Sequence, residues 1–183
     1  GIEPNEVRAK EALLKTNNVF IGHLDQFMAL ESSQSFDHVI FADVIEHVPW
    51  PAEILRDAST LLSDTGSIIL SVPNVAHWSV RLSLLRGLFD YEPCGILDST
   101  HLRFYTRKSL ENLVKANGFV LNRKDILFTA GKSLSCYESG LLSRLPLRLR
   151  NALVDWLSQC FPTLFACQFV CCLAKISTSR RSE

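Results

Sequence analysis

The stretch Phe36-Asp-His-Val-Ile-Phe-Ala-Asp-Val-Ile-Glu-His47 determines the fold that we predict for this chain. Its apolar run, Val39-Ile-Phe41, is typical of a strand that is buried on both faces of a parallel sheet. The ionisable residues Asp43, Glu46 and His47 follow directly. Because open α/β sheets bind ligands beyond the carboxyl ends of their strands, we expect these side chains to face a crevice. The alternative is that the acidic residues cap the next helix.

The composition indicates one globular domain. The chain has 183 residues and a hydrophobic content of 47%, which is enough for a substantial core. Lys plus Arg equals Asp plus Glu at 19 each, so the overall charge does not favour a nucleic-acid partner. The 6 cysteines form no C-x-x-C pair, which favours a reducing cytoplasm over a disulfide scaffold. No apolar segment has the length of a transmembrane helix.

Helical and strand patterns alternate on both sides of the central stretch. Strand patterns occur at 19–22, 67–72, 119–121 with 126–129, and 168–176, and helical patterns at 6–15, 52–62, 76–86 and 107–117. We expect Asp64-Thr-Gly66 to end the second of these helices. The alternation predicts an α/β fold, with a helical insertion at about 130–163.

Three linked motifs resemble those of class I S-adenosylmethionine-dependent methyltransferases. Asp43-Val-Ile-Glu-His47 is similar to the motif after the family's fourth strand, and the likeness continues through Ser71-Val-Pro-Asn74 and Thr100-His-Leu-Arg-Phe-Tyr-Thr106. It covers roughly residues 1–128 in order. The resemblance implies a Rossmann-like sheet, mostly parallel with an antiparallel last strand, with helices on both faces.

The family's first strand and glycine-rich loop have no counterpart in the sequence. The 8 glycines include no pair two positions apart, so the sequence contains no G-x-G. That loop normally lets the backbone approach the cofactor. We therefore interpret residues 1–183 as a single methyltransferase domain that is partial at its amino end. A degenerate, non-catalytic relative is the alternative.

The resemblance also implies which residues bind S-adenosylmethionine. Glu3 matches the acidic residue that binds both ribose hydroxyls, and a carboxylate can accept both hydrogen bonds. Pro4, Leu24 and Ala42 belong to the same predicted set. His23 stands where the family usually has an acidic residue for the adenine amino group, so this contact departs from the pattern. Alternatively, Glu3 serves only the helix dipole.

The expected chemistry is proton removal from a hydroxyl followed by methyl transfer. His47 and His101 are the predicted bases, because imidazole titrates near neutral pH. The long segment between 75 and 105 is expected to bind the acceptor. The predicted acceptor-binding residues are Asn74, which directly precedes this segment, and His77, Arg81, Arg103 and Tyr105 within it. Trp78 and Tyr91 lie in the same region.

A second scheme uses overlapping residues. Asp43, Glu46, His47 and His101 resemble the metal-binding set of metal-dependent O-methyltransferases, among them enzymes of the ubiquinone pathway and enzymes that methylate RNA ends. Carboxylates with imidazoles suit Mg²⁺ or Mn²⁺, which would lower the pKa of the acceptor hydroxyl. Asp43 replaces a commoner glutamate and has a shorter reach.

We therefore expect methyl transfer to a hydroxyl of a small molecule, sugar or lipid-linked acceptor. The sugar or lipid-linked acceptor rests on the similarity of the second and third motifs to methyltransferases associated with surface polysaccharides. The alternatives are a metal-dependent RNA-end methyltransferase, which the neutral charge disfavours, and a non-catalytic binding module. Leucines and arginines alternate over 144–157, where we weigh a core-covering helix, a homodimer contact and a peripheral membrane contact.

Overall fold

The computed structural model describes residues 1–31, 35–121, 126–129 and 144–176. The strands are β1 (Ile2–Glu3), β2 (Phe20–Ile21), β3 (Phe36–Ala42), β4 (Leu62–Pro73), β5 (Phe119–Val120), β6 (Ile126–Thr129) and β7 (Gln168–Lys175). The helices are α1 (Glu6–Leu13), α2 (Leu24–Leu30), α3 (Pro51–Thr60), α4 (Trp78–Leu85), α5 (Arg107–Ala116), α6 (Leu147–Cys160) and α7 (Pro162–Phe165). A short 3-10 helix covers Ile45–His47.

The described strands form two sheets. β1 and β2 pair in parallel as a two-stranded sheet. β3 and β4 pair in parallel in the second sheet, and β7 runs antiparallel to β4, β5 and β6. The prediction of a mixed α/β sheet with an antiparallel last strand is therefore confirmed. Among the described residues, β3 pairs only with β4, so its other edge has no partner strand.

One face of the larger sheet carries the core. Ile68, Leu70 and Val72 of β4 are all fully buried on this face. They stand opposite Leu173, Cys171 and Phe169 of β7, which are at most 1% exposed. Side chains from the helices α3 and α5 complete the same cluster: Leu55, Ala58, Leu110 and Val114. Since β4 is held on both edges, the end of β3 beside it has a fixed position.

The opposite face of β3 is open to solvent. Val39 and Phe41 pack against the core, but Ile40 is 64% exposed and His38 and Ala42 are also exposed. The prediction that β3 is buried on both faces is therefore wrong. Alternate side chains of a strand point to opposite faces, and within the described part of the chain no helix covers the second face of β3.

Residues at the ends of α1 and α3 test two of the predicted helix boundaries. Oδ1 of Asn5 accepts hydrogen bonds from the N–H groups of Val7 and Arg8, at 3.0 and 3.1 Å, which confirms its predicted capping role. The predicted helix end at 64–66 is wrong, because that segment lies inside β4. A Cβ on Gly66 would lie 3.0 Å from the carbonyl oxygen of Phe36. Glycine therefore permits a close approach of two backbones here.

The predicted insertion at about 130–163 is described only in its second half. That half contains α6 and the short helix α7, while residues 130–143 lie outside the described residues. Within the described ranges, no helix is long and apolar enough to cross a membrane. The described cysteines are free thiols: Cys94, Cys160, Cys167, Cys171 and Cys172.

Candidate functional site

The carboxyl end of β3 leads directly into a tight turn. Asp43 has a φ of 53°, the left-handed conformation that non-glycine residues rarely adopt. The hydroxyl of Ser71 holds this turn, accepting from the N–H of Asp43 and donating to its Oδ1, each at 2.9 Å. Ile45 is fully buried and anchors the 3-10 helix that follows. The turn thus places Glu46 and His47 at the carboxyl edge of the sheet.

A loop from further along the chain docks on this turn. The carbonyl oxygen of Glu46 accepts hydrogen bonds from the N–H groups of Leu102 and Arg103, at 2.8 and 3.0 Å. This docking brings His101 against His47, with their ring centroids 4.8 Å apart and the rings edge to face. The two predicted bases, which are distant in sequence, are therefore neighbours in the fold.

Hydrogen bonding orients both imidazoles. Nδ1 of His47 lies 3.2 Å from the carbonyl oxygen of Thr100, and Nδ1 of His101 lies 3.2 Å from that of Ile96. Since a carbonyl oxygen only accepts, we assign the proton to Nδ1 in each ring, which leaves Nε2 as an acceptor. Burial lowers the pKa of His101, which favours its neutral, proton-accepting form.

The carboxyl group of Glu46 lies close to these rings. The side chain is 1% exposed, and among the described residues no other residue donates a hydrogen bond to either carboxyl oxygen. Burial, with a smaller contribution from Asp43, raises the pKa of Glu46 to about 7. Burying a carboxylate without a hydrogen-bond partner costs free energy, so a proton, a ligand or an ion would stabilise this group.

Three ligand atoms converge at this point. One atom each from Glu46, His47 and His101 lies within 4.8 Å of the others. The fourth predicted metal ligand, Asp43, is not part of this group, and its role as a ligand stays a prediction. Its Oδ1 accepts instead from Ser71 and from Nε2 of Gln168, the latter at 2.6 Å. The left-handed backbone of Asp43 turns the carboxylate toward β4 and β7.

Asn74 connects the end of β4 to a distant segment of the chain, and its substrate-binding role stays a prediction. Its side chain is fully buried. Nδ2 donates to the carbonyl oxygens of Ala166 and Thr163 at 2.7 and 3.3 Å, and Oδ1 accepts from the N–H of Ala76. The amide thus ties the end of β4 to the segment before β7.

His77 also makes contacts within the fold, and its substrate-binding role likewise stays a prediction. It is fully buried, caps α4, and its Nδ1 lies 2.8 Å from the hydroxyl of Ser79. Its Nε2 lies 3.5 Å from Sγ of Cys167. Burial lowers the pKa of His77 to about 4, so the ring is neutral at physiological pH.

The other predicted acceptor residues have mixed surroundings. Nε of Arg81 donates to the carbonyl oxygen of Ala76 at 2.6 Å, and Nη2 of Arg103 donates to that of Pro49 at 2.7 Å. Tyr105 is 7% exposed, and its hydroxyl has no hydrogen-bond partner in the part of the chain that the structure describes. Burial raises the pKa of Tyr105 to about 12, with a contribution from Glu46. The acceptor-binding roles of these residues stay predictions.

The predicted cofactor-binding residues lie at strand ends. Oε1 of Glu3, at the end of β1, accepts from the N–H of Asn5 at 2.9 Å, and Pro4 is exposed just after it. His23 and Leu24 begin α2 after β2. Ala42 is the exposed last residue of β3. The second oxygen of Glu3 has no hydrogen bond among the described residues, so it fits a ribose hydroxyl, but the cofactor roles stay predictions.

Residues that the sequence did not reveal support the site. Asp98 accepts two hydrogen bonds from Thr100, from its N–H at 2.8 Å and its hydroxyl at 2.6 Å, and Thr100 in turn contacts His47. The rings of Phe89 and Phe104 lie 5.7 Å apart, beside His101. Phe89 and Phe104, like Thr100 and His47, are distant in sequence, so only the folded chain shows that they are in contact.

Comparison with known proteins fits this geometry. Residues 1–123 match the model of a family described as a methyltransferase domain. The chain belongs to this family of methyltransferase domains. It is 33% identical over 92 residues to the ubiquinone biosynthesis O-methyltransferase of Colwellia psychrerythraea, an alignment that covers 49% of this chain and 37% of the relative. The chain thus spans well under half the length of that curated relative.

Solved structures of methyltransferases share the fold. The SAM-dependent methyltransferase of Archaeoglobus fulgidus matches with a TM-score of 0.60 at 19% identity, covering 96% of this chain and 74% of that one. The possible histamine N-methyltransferase of Thermotoga maritima, also described as SAM-dependent, matches with a TM-score of 0.60 at 16% identity, covering 96% of this chain and 72% of that one. At these identities the likeness establishes the fold alone.

Proposed function

We propose that this protein transfers the methyl group of S-adenosylmethionine to a hydroxyl of a small-molecule acceptor. The observation that carries the proposal is the pair His47 and His101 at the carboxyl end of β3, whose ring centroids lie 4.8 Å apart in a methyltransferase-family domain. Within the described ranges neither Nε2 atom has a hydrogen bond, so each would be able to accept a proton. The similarity to an O-methyltransferase supports a hydroxyl as the acceptor. A sugar or lipid-linked hydroxyl remains within this proposal.

The residues of the chain supply binding, orientation and proton removal. When bound, S-adenosylmethionine supplies a methyl group on a positively charged sulfur. Glu3 would hold the ribose, and Ala42 at the end of β3 would border the nucleoside. The acceptor hydroxyl gives its proton to Nε2 of His101 or His47, and the oxygen then bonds to the methyl carbon as the carbon–sulfur bond breaks. Most of the acceleration is expected from this alignment.

Binding and turnover measurements on the full-length natural protein test this proposal. We expect calorimetry to detect S-adenosylhomocysteine binding, and labelled S-adenosylmethionine to yield a methylated acceptor from a panel of hydroxyl compounds. Glu3→Gln should weaken the binding while Glu6→Gln, on the exposed surface of α1, should not. Absence of nucleoside binding would contradict the enzymatic function and leave the non-catalytic binding module.

A bound divalent ion is the second candidate feature of the mechanism. The ligand atoms of Glu46, His47 and His101 lie within 4.8 Å of one another, and the orphaned carboxyl oxygens of Glu46 fit an ion. Both Nδ1 atoms face backbone carbonyl oxygens, which is the usual support for a metal-binding imidazole. A bound Mn²⁺ or Mg²⁺ would lower the pKa of the acceptor hydroxyl. We propose these three residues as the metal ligands in this second scheme, in which the two Nε2 atoms bind the ion and do not act as the base.

No observation favours RNA as the acceptor, since the net charge is +0. A homodimer or peripheral membrane contact stays a prediction for α6. Val154 of this helix is fully buried, which agrees with a core-covering role, while Leu149 and Trp156 are 57% and 58% exposed. Sedimentation of the full-length protein, with and without lipid vesicles, distinguishes the two contacts.

A further inference from the structure

The side of α6 that faces away from the protein is exposed. The residues of this helix that are buried are Arg150, Val154 and Ser158. Because an α-helix turns by about 100° per residue, Ala152 lies about 160° around the helix from Arg150 and from Val154. Ala152 is exposed and marks the centre of the opposite side. We call this side the outer face of α6, and it comprises Arg148, Leu149, Ala152, Asp155 and Trp156.

The outer face has an apolar half and a charged half. Leu149 and Trp156 lie about 40 to 60° to one side of Ala152. They are 57% and 58% exposed, and they are two helical turns apart, so their side chains form a row along the helix. Arg148 and Asp155 lie at the same angles on the other side of Ala152 and are also exposed. Ala152, with a small side chain, separates the two halves.

The two charges of the outer face cannot neutralise each other within one helix. Arg148 and Asp155 are separated by about 10 Å along the helix axis, whereas side chains on one helix pair at a spacing of three or four residues. Among residues 1–31, 35–121, 126–129 and 144–176, neither of them forms an ion pair. Each charge is therefore available to a group of opposite sign on another molecule.

The residues about Ala152 are arranged as an antiparallel pair of identical helices requires. In a two-fold dimer, each half of the face meets the same half of its copy, and a residue before the two-fold axis meets one after it. Leu149 precedes Ala152 by three residues and Trp156 follows it by four. In an antiparallel pair they would therefore lie within about 1.5 Å of each other's level along the helix. Arg148 and Asp155 would meet in the same way, with opposite charges.

A lipid surface fits the outer face less well than a second helix does. Helices that lie on membranes carry a polar side rich in Lys and Arg beside the apolar side. The charged half here holds one basic and one acidic residue, Arg148 and Asp155, and so has no net charge to attract anionic lipid. Arg144 adds a positive charge, but it precedes the helix.

We infer that the outer face of α6 binds α6 of a second copy of this chain, antiparallel and with Ala152 at the two-fold axis. Leu149 of each copy then packs on Trp156 of the other, and Arg148 of each copy pairs with Asp155 of the other. Apolar contacts of this kind supply affinity, and charge pairs fix the orientation. One helix from each copy makes a small interface, so we expect a dissociation constant in the micromolar range. The inference goes beyond the proposed methyl transfer, because the outer face does not include the histidine pair.

Sedimentation of the full-length natural protein over a range of concentrations tests this inference. We expect a monomer–dimer equilibrium, and Leu149→Ala should raise the dissociation constant of the dimer by about tenfold. Leu147→Ala is the matched control and should change nothing. Leu147 is 60% exposed, close to the value for Leu149, but it lies about 160° around the helix from it.

Reversing the charges tests the antiparallel arrangement itself. Arg148→Glu and Asp155→Arg should each raise the dissociation constant by about tenfold or more, because each variant sets like charges against each other. An equimolar mixture of the two variants should dimerise again, since every charge in the mixed pair meets its opposite. Mixing cannot repair a folding defect, so this recovery separates a lost interface from a damaged fold.

Three results would overturn the inference. They are a full-length protein that stays monomeric at about 0.1 mM, a dimer that both charge reversals leave unchanged, and charge-reversed variants that stay apart when mixed. Sedimentation with phosphatidylglycerol vesicles is the second arm. Vesicle binding by the monomer that is lost in Trp156→Ala would assign the outer face to a membrane instead. Methyl transfer is measured separately, so a dimer without activity, or activity without a dimer, would refute only one of the two proposals.

Discussion

Two clusters of residues that contain histidine lie at strand ends in this protein, and they differ in how far their polar atoms are hydrogen-bonded. The open cluster of Glu46, His47 and His101 contains a buried carboxyl group to which no other residue in the described part of the chain donates a hydrogen bond. In the closed cluster, Asn74 and His77 are fully buried and their polar atoms contact other parts of the chain. Hydrogen-bond satisfaction therefore distinguishes a candidate site from a structural contact, where residue type alone does not.

The largest expected effect is on catalysis. Replacing His101 with glutamine should lower kcat by about a hundredfold to ten-thousandfold, the range for loss of a general base. His38→Gln is the matched control, because His38 lies on the exposed face of β3, where its Nδ1 is 2.9 Å from the hydroxyl of Ser67, and it is not one of the proposed bases. Initial rates with saturating S-adenosylmethionine measure the difference. Equal rates for both variants would refute the proposed role of His101.

The second-largest expected effect is a loss of stability when the closed cluster is disrupted. Asn74→Ala removes the donor to Ala166 and Thr163 and deprives the buried carbonyl oxygen of Ala166 of this hydrogen bond, which should lower the free energy of unfolding by about 3 kcal/mol. Asn117→Ala removes one hydrogen bond to Leu113 at the end of α5 and should cost only about 1 kcal/mol. Urea denaturation measures both. A smaller loss for Asn74→Ala than for Asn117→Ala would contradict the structural role.

The two clusters should also respond oppositely to pH. The folded protein holds a proton on Glu46 between its ordinary pKa of 4.5 and about 7, so this group makes stability fall as pH rises through that window. His77 stays neutral between 6.5 and about 4, where the unfolded chain takes up a proton, so its contribution to stability is lost as pH falls. The two slopes, each about 1.4 kcal/mol per pH unit at most, oppose each other between pH 4.5 and 6.5.

Single substitutions should therefore expose slopes that the natural protein hides. In Glu46→Gln, the free energy of unfolding should rise with pH across this range, and in His77→Gln it should fall. Denaturation at several pH values measures each slope, and the double variant is the control because both contributions are removed. Parallel profiles for the two single variants would show that one of the pKa shifts has been assigned the wrong direction.

The smallest expected effect is stabilisation by a metal ion. Mn²⁺ at about ten times its dissociation constant should stabilise the folded protein by about 1.4 kcal/mol. Glu46→Gln should abolish the response, whereas Asp43→Asn should keep it, since Asp43 lies outside the converging ligand group. Thermal melting with and without the ion measures the effect. A response lost in Asp43→Asn and kept in Glu46→Gln would assign the ligands differently.

Part of the site was predictable because it is local. Asp43, Glu46 and His47 follow an apolar run, and this order predicts ionisable groups at the end of a strand wherever the strand lies in the sheet. The capping role of Asn5 is equally local. Asn74 and His77 follow a strand in the same way, but the sequence did not predict that both would be fully buried. Their partners Ala166 and Cys167 come from a distant segment.

The sequence by itself determined the α/β class, the order of the elements and the family, because each depends on residues close together in the chain. Only the tertiary structure decided which polar groups remain without partners. It placed His101 against His47, turned Asp43 toward Gln168, and left one face of β3 open. These outcomes depend on contacts between residues tens of positions apart, and no local pattern specifies which distant group satisfies a given hydrogen bond.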